Sequence, residues 1–303
     1  MRGLNKGAVA MSQLHIIWNP VAGNGAAVDA YARVTAALDE RGIPFTAAKS
    51  AYPGHAVELT RQAVADGKEK IIALGGDGTV REVAMGLTGT AIPMGIIPCG
   101  TGNDLSRPLR IPKRPLEALE IALDGAPRCM DAATANGELF FNVAGFGFDV
   151  DVLDYTEIYK KKTKNSSWAY LRGLLRALAG MKSRRTVVTW PEGRLEGDVL
   201  IIAAGNGTHF GGGMMVTPEA DPFDGLLDLC VATDVNLLSA LTVLPKFLKG
   251  KHLGNKHVTY FRTTELTAVC EPASRLDIDG DVMPGTPVTF RILPKQLWVI
   301  PGN

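Results

Sequence analysis

An apolar run that ends in glycines and an aspartate is the stretch of this sequence with the clearest chemistry. Residues 71–74 (Ile-Ile-Ala-Leu) lead directly into residues 75–79 (Gly-Gly-Asp-Gly-Thr), and apolar residues then recur at helical spacing. The sequence therefore predicts a strand, a glycine turn and a helix start, the local geometry in which backbone N–H groups bind phosphate. Unlike a Walker A loop, this turn has no lysine but carries a carboxylate at Asp77.

Asp77 has two interpretations from the sequence alone. A carboxylate repels bare phosphate, so Asp77 suits a phosphate loop only if a cation such as Mg²⁺ lies between them. Alternatively, it is an ordinary turn residue that holds the loop together. Both interpretations remain open at this point.

Two further glycine loops follow predicted strands in the first half of the chain. Residues 19–25 follow a strand at 13–18, and residues 100–104 follow a strand at 93–98. Strands and helices alternate over 13–125, which predicts a parallel α/β sheet. Because ligands of such sheets lie at the carboxyl ends of the strands, the three loops together predict one site for nucleotide phosphates.

The pattern changes near residue 132. Short β-type runs bounded by Gly, Pro and Asp predict a second, mainly antiparallel domain, a β-sandwich, with helices at 168–178 and 236–249. The predicted strands are 139–143, 186–190, 199–203, 227–232, 264–269, 276–278, 288–292 and 297–300.

Two acidic clusters in this second half could carry chemistry. Asp279-Gly280-Asp281 lies between two β runs, and on its own it favours a hairpin turn, for which Asp-Gly is a common dipeptide. The segment 221–228 either forms turns or supplies oxygen ligands to a hard cation.

A basic segment at 157–185 stands out from an otherwise neutral chain. Within it Trp168, Leu171, Leu175 and Leu178 recur at helical spacing, which predicts either a core-facing helix with a solvated face or an amphipathic element that rests on anionic lipid. Its basic residues are Lys160, Lys161, Lys162, Lys164, Arg172, Arg176, Lys182, Arg184 and Arg185.

Composition excludes several classes of protein. The 303 residues are 46% hydrophobic and 21% charged, which suits two globular domains, and the formal charge of +1 argues against nucleic-acid binding. Four scattered cysteines and five histidines show no metal-ligand spacing, which favours a reduced, cytoplasmic protein. No apolar run reaches the length of a membrane span. Residues 1–12 have no periodicity or signal-peptide core, so we expect an irregular leader in which Met11 is an alternative start.

Taken in order, six motifs resemble the diacylglycerol kinase catalytic-domain family, most closely its soluble bacterial lipid kinases. One G-G-D-G-T is shared with NAD kinases and phosphofructokinases, whereas the ordered set is specific. The motifs are N-P-V-A-G (19–23), G-G-D-G-T (75–79), P-C-G-T-G-N-D-L (98–105), F-N-V-A-G-F-G-F-D (141–149), D-G-L-L-D-L (224–229) and I-D-G-D (278–281).

The resemblance implies a fold and a function. An NAD-kinase-like α/β domain would comprise 1–131 and 294–303, an antiparallel β-sandwich would comprise 132–293, and the active site would lie in the cleft between them. The function would be ATP-dependent transfer of the γ-phosphate to a lipid hydroxyl, with diacylglycerol giving phosphatidic acid. Such an enzyme would be cytoplasmic and associate peripherally with the inner face of the membrane. An exposed β edge would also allow a homodimer.

The resemblance also implies residue roles. Asp77 and Asp104 would organise Mg²⁺ and its waters, and Asp279 would accept the proton of the lipid hydroxyl. Because an ordinary Asp has a pKa near ~3.9, that transfer would be late. Asp131 would belong to the same carboxylate network. The nucleotide would be held by Asn19, Gly23, Gly75, Gly76, Gly78, Thr79, Gly100 and Thr101.

A second, structural Mg²⁺ would lie outside the active site, bound by Asp224 and the backbone carbonyls of Asp221 and Leu226. Two positions depart from the family pattern. Asp281 stands where the family usually has Glu, which puts its contact with metal or phosphate in question. Arg81 stands where the family usually has Asn, and it would either touch phosphate or lie in solvent.

Two other functions stay open. The acceptor could be NAD or another soluble metabolite, although the I-D-G-D run and the basic segment favour the lipid branch. The chain could also be a nucleotide-binding regulator without turnover. No G-x-S-x-G motif is present, which argues against a serine hydrolase.

Overall fold

The computed structural model describes residues 13–161, 163 and 166–303. The predicted leader at 1–12, including Met11, lies outside the described residues, and so do Lys162 and Lys164 of the basic segment.

The first part of the chain alternates strands and helices. Four strands are parallel neighbours in the order β2-β1-β3-β4, and the central residues 71–74 are fully buried, as expected for a parallel sheet covered on both faces. The elements are β1 Leu14–Trp18, α1 Ala26–Glu40, β2 Phe45–Lys49, α2 His55–Ala65, β3 Lys70–Gly75, α3 Asp77–Leu87, β4 Met94–Pro98 and α4 Pro115–Asp124.

The second part is mainly antiparallel. Its elements are β5 Arg128–Ala135, β6 Glu138–Phe140, β7 Val143–Gly147, α5 Phe148–Lys160, α6 Ser166–Ala179, β8 Arg184–Trp190, β9 Gly193–Gly205, β10 His209–Phe210, β11 Met214–Met215, β12 Leu227–Thr233, α7 Leu237–Phe247, β13 Val258–Thr263, β14 Glu265–Glu271, β15 Leu276–Ile278, β16 Asp281–Met283 and β17 Val288–Val299.

Strand β9 joins the two layers of this sandwich. Its first half pairs with β8, and its second half pairs with β7 and β12. The layers enclose a core that includes Phe140, Phe146 and Phe290, with Phe140 and Phe290 in edge-to-face contact. The predicted class, an α/β domain followed by a β-sandwich, is confirmed.

Strand β17 connects the sandwich to the parallel sheet. It pairs with β14 through its first residues, and then Val299 pairs with Met94 of β4. The ladder is irregular between Leu293 and Leu297, where Lys295 has φ +56°. Both domain boundaries drawn from the sequence, at 131/132 and 293/294, fall inside continuous strands, β5 and β17, so that division stays a prediction.

Some elements differ from the sequence expectation. The predicted strand at 139–143 is split into β6 and β7, because the N–H groups at 141–143 turn towards a carboxylate instead of a neighbouring strand. Runs 288–292 and 297–300 form the single strand β17, and neither α5 nor β13 was predicted. Within the described ranges, no helix is both long and apolar enough to cross a bilayer.

Candidate active site

The three glycine loops meet at one edge of the parallel sheet, after the neighbouring strands β1, β3 and β4. A Cβ atom added to Gly23 would lie 1.9 Å from the carbonyl oxygen of Cys99, and one added to Gly100 would lie 2.6 Å from the Cα of Gly76. The loops therefore contact each other through backbone atoms, which only glycine allows at this distance. The structure thus brings Gly23, Gly76 and Gly100 together, as the sequence predicted.

The resemblance implies that these loops hold the nucleotide, so replacing Gly23 with alanine is expected to weaken ATP binding, because the new methyl group would push the first loop away from the third. Gly25→Ala is the matched control: Gly25 also has positive φ, but nothing lies within 4 Å of its added Cβ. The control should lose about 1–2 kcal/mol of unfolding free energy from backbone strain. Gly23→Ala should lose a further ~1–3 kcal/mol from the clash. Chemical unfolding and ATP titration measure both effects, and equal losses in the two variants would contradict the loop contact.

Other predicted nucleotide residues surround these contacts. The Asn19 Oδ1 accepts the N–H of Val21 at 3.2 Å and shapes the first loop. Thr79 is buried against Gly75, whose added Cβ would lie 2.6 Å from the Thr79 Cβ. Gly78 has open space around it, so its backbone is accessible to a ligand.

Asp77 fastens the loop after β3 to the loop after β4. Its Oδ2 accepts the backbone N–H of Asn103 at 2.8 Å, and its Oδ1 accepts that of Asp104 at 2.6 Å. Asp104 in turn accepts the N–H of Gly212 at 2.8 Å with Oδ2, whereas its Oδ1 is buried and has no hydrogen-bond partner. This geometry agrees with the turn-holding interpretation of Asp77, and the magnesium role of both carboxylates stays a prediction.

The pKa of the Asp104 carboxyl is raised to about 6, first by burial and then by the nearby Asp77 carboxylate. The N–H of Gly212 and the Arg107 guanidinium act in the opposite direction. Asp104 is therefore ionised at neutral pH, but at a cost in free energy that a bound cation would reduce.

Asp279 lies in the two-residue turn between β15 and β16. Its φ is +51° and that of Gly280 is +96°, as in a type I′ hairpin. Its carboxylate accepts three backbone N–H groups, from Phe141 at 2.8 Å, Asn142 at 3.1 Å and Val143 at 3.0 Å. The hairpin that the Asp-Gly pair predicted is present, and the same turn holds a carboxylate that is only 8% exposed.

Burial raises the pKa of Asp279 to about 6, and this outweighs the lowering effect of the Phe141 N–H, the Arg81 guanidinium and the other two N–H groups. The sequence suggested an ordinary carboxyl near ~3.9. The higher pKa makes Asp279 a better proton acceptor, while still leaving it ionised at pH 7.

A cavity of about 440 Å³ lies between the glycine loops and this hairpin. Four predicted site residues line it: Asp77, Thr101, Asp104 and Asp279. Its far wall comes from the second part of the chain and includes the 210–212 backbone. The cavity therefore has phosphate-loop residues on one side and a buried carboxylate on the other.

Comparisons with known proteins agree with this arrangement. The profile of the diacylglycerol kinase catalytic domain matches residues 13–135, and that of the YegS C-terminal NAD kinase beta sandwich-like domain matches residues 142–301. The chain belongs to the diacylglycerol kinase catalytic-domain family.

Relatives in this family include a diacylglycerol kinase of Mycobacterium tuberculosis, 32% identical over 93% of each chain. A diacylglycerol kinase of Bacillus subtilis is 27% identical over 96% of each chain, and a YegS-like lipid kinase of Chromohalobacter salexigens is 32% identical over 75% of this chain and 74% of its own. A solved Bacillus anthracis structure covers 96% of this chain and 97% of its own, with a TM-score of 0.79 at 24% identity, which supports the fold. Family membership supports a phosphotransferase that acts on a lipid.

The two departures from the usual pattern of the family lie side by side. The Arg81 Nη1 is 2.5 Å from the Asp281 Oδ2, and its Nε is 3.8 Å from the Asp279 Oδ2. Asp281 does not line the cavity and its side chain is 68% exposed, so the structure places it at the rim.

Sequence reasoning missed several residues that shape the site. Asn103 and Gly100 exchange two hydrogen bonds of 2.8 Å that form the third loop, and Asn103 has φ +52°, which asparagine tolerates. The Asn in the G-T-G-N-D motif was the sequence feature that could have indicated this turn. Gly212 was also missed, since no local pattern reveals that its N–H bonds to Asp104. His209 is uncharged at neutral pH, because burial and Arg107 lower its pKa to about 4.

Asp131 does not join the carboxylates of the cavity. It accepts the N–H of Gly225 at 2.7 Å and that of Lys295 at 2.8 Å, and so ties β5 to the 219–226 loop and to β17. It therefore stabilises the junction between the two parts of the chain, which corrects its expected place in the network.

The expected structural magnesium site lies in that same loop. The Asp224 Oδ1 accepts the N–H of Leu226 at 3.0 Å, and the Asp221 Oδ1 accepts that of Phe223 at 3.1 Å. A cation, the Arg262 Nη1, is already 3.9 Å from the Asp224 Oδ2. The residues that the structure describes include no group of three or more His, Cys, Asp or Glu side chains suited to a metal. This magnesium site stays a prediction and would have to rely on carbonyls and water.

Proposed function

We propose that this chain is an ATP-dependent lipid kinase that transfers the γ-phosphate to the hydroxyl of diacylglycerol and forms phosphatidic acid. The observation that carries the proposal is the position of the Asp279 carboxylate, which lines the same 440 Å³ cavity as the loop residues Asp77, Thr101 and Asp104. The loops would hold ATP, and the lipid hydroxyl would enter beside Asp279.

The reaction needs few groups from the protein. The lipid oxygen forms a bond to the γ-phosphorus, the bond from that phosphorus to the bridging oxygen breaks, ADP leaves, and the hydroxyl proton passes to Asp279. A loose transition state requires mainly positioning and charge neutralisation. Because the pKa of Asp279, about 6, is far below that of an alcohol, the proton would move as the new bond forms.

The residues present fit a magnesium ion that arrives with ATP. The buried Oδ1 of Asp104 has no hydrogen-bond partner, although the Arg107 Nε lies 3.6 Å away, and it belongs to a carboxylate on the cavity wall. Mg²⁺ in kinases is held by one or two carboxylates together with substrate phosphates and water, so no larger protein cluster is needed. When bound, the ion would neutralise the charge of the phosphates, and Asp104 and Asp77 would hold it.

Transfer of labelled γ-phosphate from ATP tests the proposal. Diacylglycerol, phosphatidylglycerol, sphingosine and undecaprenol are presented in mixed micelles, and NAD is presented in solution. We expect label on diacylglycerol. Label on another lipid would identify that lipid as the substrate. Label on NAD alone would indicate a kinase of a soluble metabolite, and ATP binding without transfer would indicate a regulator.

We also propose that helices α6 and α7, which pack together, form the surface that contacts the membrane. The α6 stripe was predicted to face either the core or lipid. Trp168, Leu171 and Leu175 are 43–57% exposed, whereas Leu178 is buried in the core. On α7, Leu238 is 76% exposed and Leu241 is 54% exposed. Exposed basic residues lie on the same two helices or directly after α7, a combination typical of anionic lipid surfaces. They are Arg172, Arg176, Lys246, Lys249 and Lys251.

The double variant Leu238→Glu/Leu241→Glu should bind anionic vesicles at least about tenfold more weakly, since each buried leucine contributes ~1.5–3 kcal/mol. Val28→Glu on α1 is the control, because Val28 is also exposed, at 51%, but lies on the first domain. Sedimentation with phosphatidylglycerol vesicles measures the binding. Equal binding of the double variant and the wild type would exclude α7 from the surface.

The homodimer remains a proposal. Strands β2 and β16 end the order of the large sheet, so either edge could pair with a second copy. Light scattering of the purified chain would test it.

A further inference from the structure

Arg81 lies on the path between the phosphate loops and the proposed base. It follows Asp77 by four residues on α3, so it is one helical turn beyond Asp77. Its side chain is only 13% exposed and lines the cavity, with Nε 3.8 Å from the Asp279 Oδ2. A phosphoryl group that moved from the loops to a hydroxyl beside Asp279 would pass this guanidinium.

The guanidinium has unused hydrogen-bonding capacity. Its Nη1 bonds to Asp281 and its Nη2 donates to the carbonyl oxygen of Leu139 at 3.3 Å, whereas its Nε is buried without a hydrogen-bond partner. A buried N–H donor without a partner is costly, and a phosphate oxygen would satisfy it. Arginine is suited to this role because its planar fork of donors matches the geometry of phosphate.

The charge of the cavity also calls for a cation at this position. Three carboxylates line the wall, those of Asp77, Asp104 and Asp279, and the cationic side chains among the lining residues are Arg81 and Lys160. A triphosphate would add several negative charges to this wall. Magnesium would offset some of them near Asp104, and Arg81 is placed to offset others beside Asp279.

The residues at the two positions that depart from the family pattern form an ion pair with each other. Asparagine at position 81 would be uncharged, whereas Arg81 carries a positive charge with which the Asp281 carboxylate pairs. Because the Asp281 side chain is 68% exposed, this ion pair lies at the solvent boundary, where such pairs are weak and a phosphate can compete. The pair thus holds the guanidinium at the cavity without occupying all of its donors.

We propose that Arg81 is a catalytic residue that binds the transferred phosphoryl group, and that Asp281 holds its guanidinium at the cavity until phosphate arrives. The inference rests on the proposed function and adds a residue to it. Arginines that neutralise charge on a transferred phosphoryl group are worth 10³–10⁵-fold in some nucleotide hydrolases, and a smaller effect of about 10²-fold in kcat is expected beside Mg²⁺.

The test compares two variants of Arg81. Arg81→Asn restores the usual residue of the family, and Arg81→Lys keeps the positive charge but lacks the planar set of guanidinium donors. Arg41→Asn is the matched control, because Arg41 also forms an ion pair between elements, with Glu120, but does not line the cavity. For each variant, calorimetry gives the affinities for ATP and ADP with Mg²⁺, thermal unfolding reports the fold, and labelled-phosphate transfer gives kcat.

We expect Arg81→Asn to bind ATP about tenfold more weakly, to bind ADP as the wild type does, and to lose about 10²-fold in kcat. Arg81→Lys should recover part of both losses, and Arg41→Asn should match the wild type. Asp281→Asn should keep the preference for ATP over ADP, because Arg81 would still reach the phosphate.

Three results would overturn the proposal. Equal weakening of ATP and ADP would mean that Arg81 does not contact the terminal phosphate. A loss of kcat with an unchanged preference for ATP would mean that Arg81 only positions Asp279. Loss of the ATP preference in Asp281→Asn, with Arg81→Asn unaffected, would assign the contact to Asp281.

If the wild type phosphorylates no lipid, the proposed function fails, but the ratio of ATP to ADP affinity still tests Arg81. If Arg81→Asn does not fold, Arg81→Lys provides the same ratio.

Discussion

Asp279→Asn should lower kcat by about 10²-fold or more, while ATP still binds. An amide cannot accept the hydroxyl proton, so the substitution removes the proposed base. The turn itself should survive, because asparagine tolerates the positive φ that Asp279 adopts. The glycine loops, which we propose hold ATP, lie on the opposite side of the cavity, which is why binding of the nucleotide should change little.

The substitution also affects the hydrogen bonds of this turn, since the amide oxygen of asparagine can still accept the N–H groups of Asn142 and Val143, whereas its NH₂ group cannot accept that of Phe141. Asp234→Asn controls for the backbone, because Asp234 has φ +53° and is exposed. Transfer of labelled phosphate gives kcat, and calorimetry gives the affinity for ATP. Turnover within a few-fold of the wild type would remove Asp279 from the role of base.

The glycine loops could be predicted from the sequence because their signals are local. An apolar run, a glycine turn and a helical pattern follow one another directly in the sequence, and helix α3 begins at Asp77, inside the predicted turn. The convergence of the loops followed from a general property of parallel sheets. These inferences need no knowledge of what lies across the cavity.

The environment of Asp279 could not be predicted in this way. Its pattern indicated a hairpin correctly, but the partners of its carboxylate are 136–138 residues away in the chain. They are reached only because β15 pairs with β7 in one register, with Ile278 opposite Ala144. The same three N–H groups interrupt the strand that the apolar pattern predicted at 139–143. The contact of the Asp279 carboxylate with residues 141–143 thus accounts for both its unforeseen environment and the wrong strand at 139–143.

Helix α5 shows a second limit of sequence patterns. Its buried face includes Phe148 and Val152, but also Asp149, whose charge hides the apolar stripe that a helix prediction needs. Asp149 is 4% exposed and lies near Asp277, which is also 4% exposed. Charged side chains are usually exposed, but the carboxylates of this pair are buried. The charged residues of the segment therefore concealed the helix from a prediction based on hydrophobic spacing.

That pair and the carboxyls of the cavity should make the protein less stable as the pH rises. In the range from about pH 4 to pH 7.5 these carboxyls lower the free energy of unfolding, whereas His15, His209 and His252 act in the opposite direction below about pH 6.5, because burial lowers the pKa of each imidazole. The contribution of the carboxyls is therefore measured as the difference in pH dependence between the wild type and Asp149→Asn. Burial raises the pKa of Asp104 and of Asp279 to about 6 and that of Asp149 to about 7, and it raises the pKa of Asp277 as well. In the unfolded chain each of these carboxyls titrates near 3.8.

The sign follows from proton binding. Between the unfolded and the folded pKa the native state binds more protons than the unfolded state, so the unfolding free energy decreases with pH there and is constant above the folded pKa. One pKa unit corresponds to 1.36 kcal/mol, so Asp279 alone would contribute about 3 kcal/mol. Chemical unfolding of the chain at about pH 5 and about pH 7.5, without nucleotide, measures the difference.

Asp149→Asn isolates the largest part of this effect. The Asp149 Oδ1 is buried without a hydrogen-bond partner, and the carboxylate repels Asp277. An asparagine could still accept the N–H groups of the first turn of α5 and donate its NH₂ to Asp277, so we expect it to raise the unfolding free energy at pH 7.5 by about 1–3 kcal/mol. It should also reduce the difference between pH 5 and pH 7.5.

Asp29→Asn is the matched control, because Asp29 also lies in the first turn of a helix, α1, but has a side chain that is 77% exposed. It should leave both the stability at pH 7.5 and the slope with pH nearly unchanged. If Asp149→Asn were instead less stable than the wild type at pH 7.5, the ionised Asp149 would have to be a favourable partner in the folded chain. The buried pair would then be held by attraction to a cation such as Arg184, whose guanidinium lowers the pKa of Asp149 against the larger effect of burial.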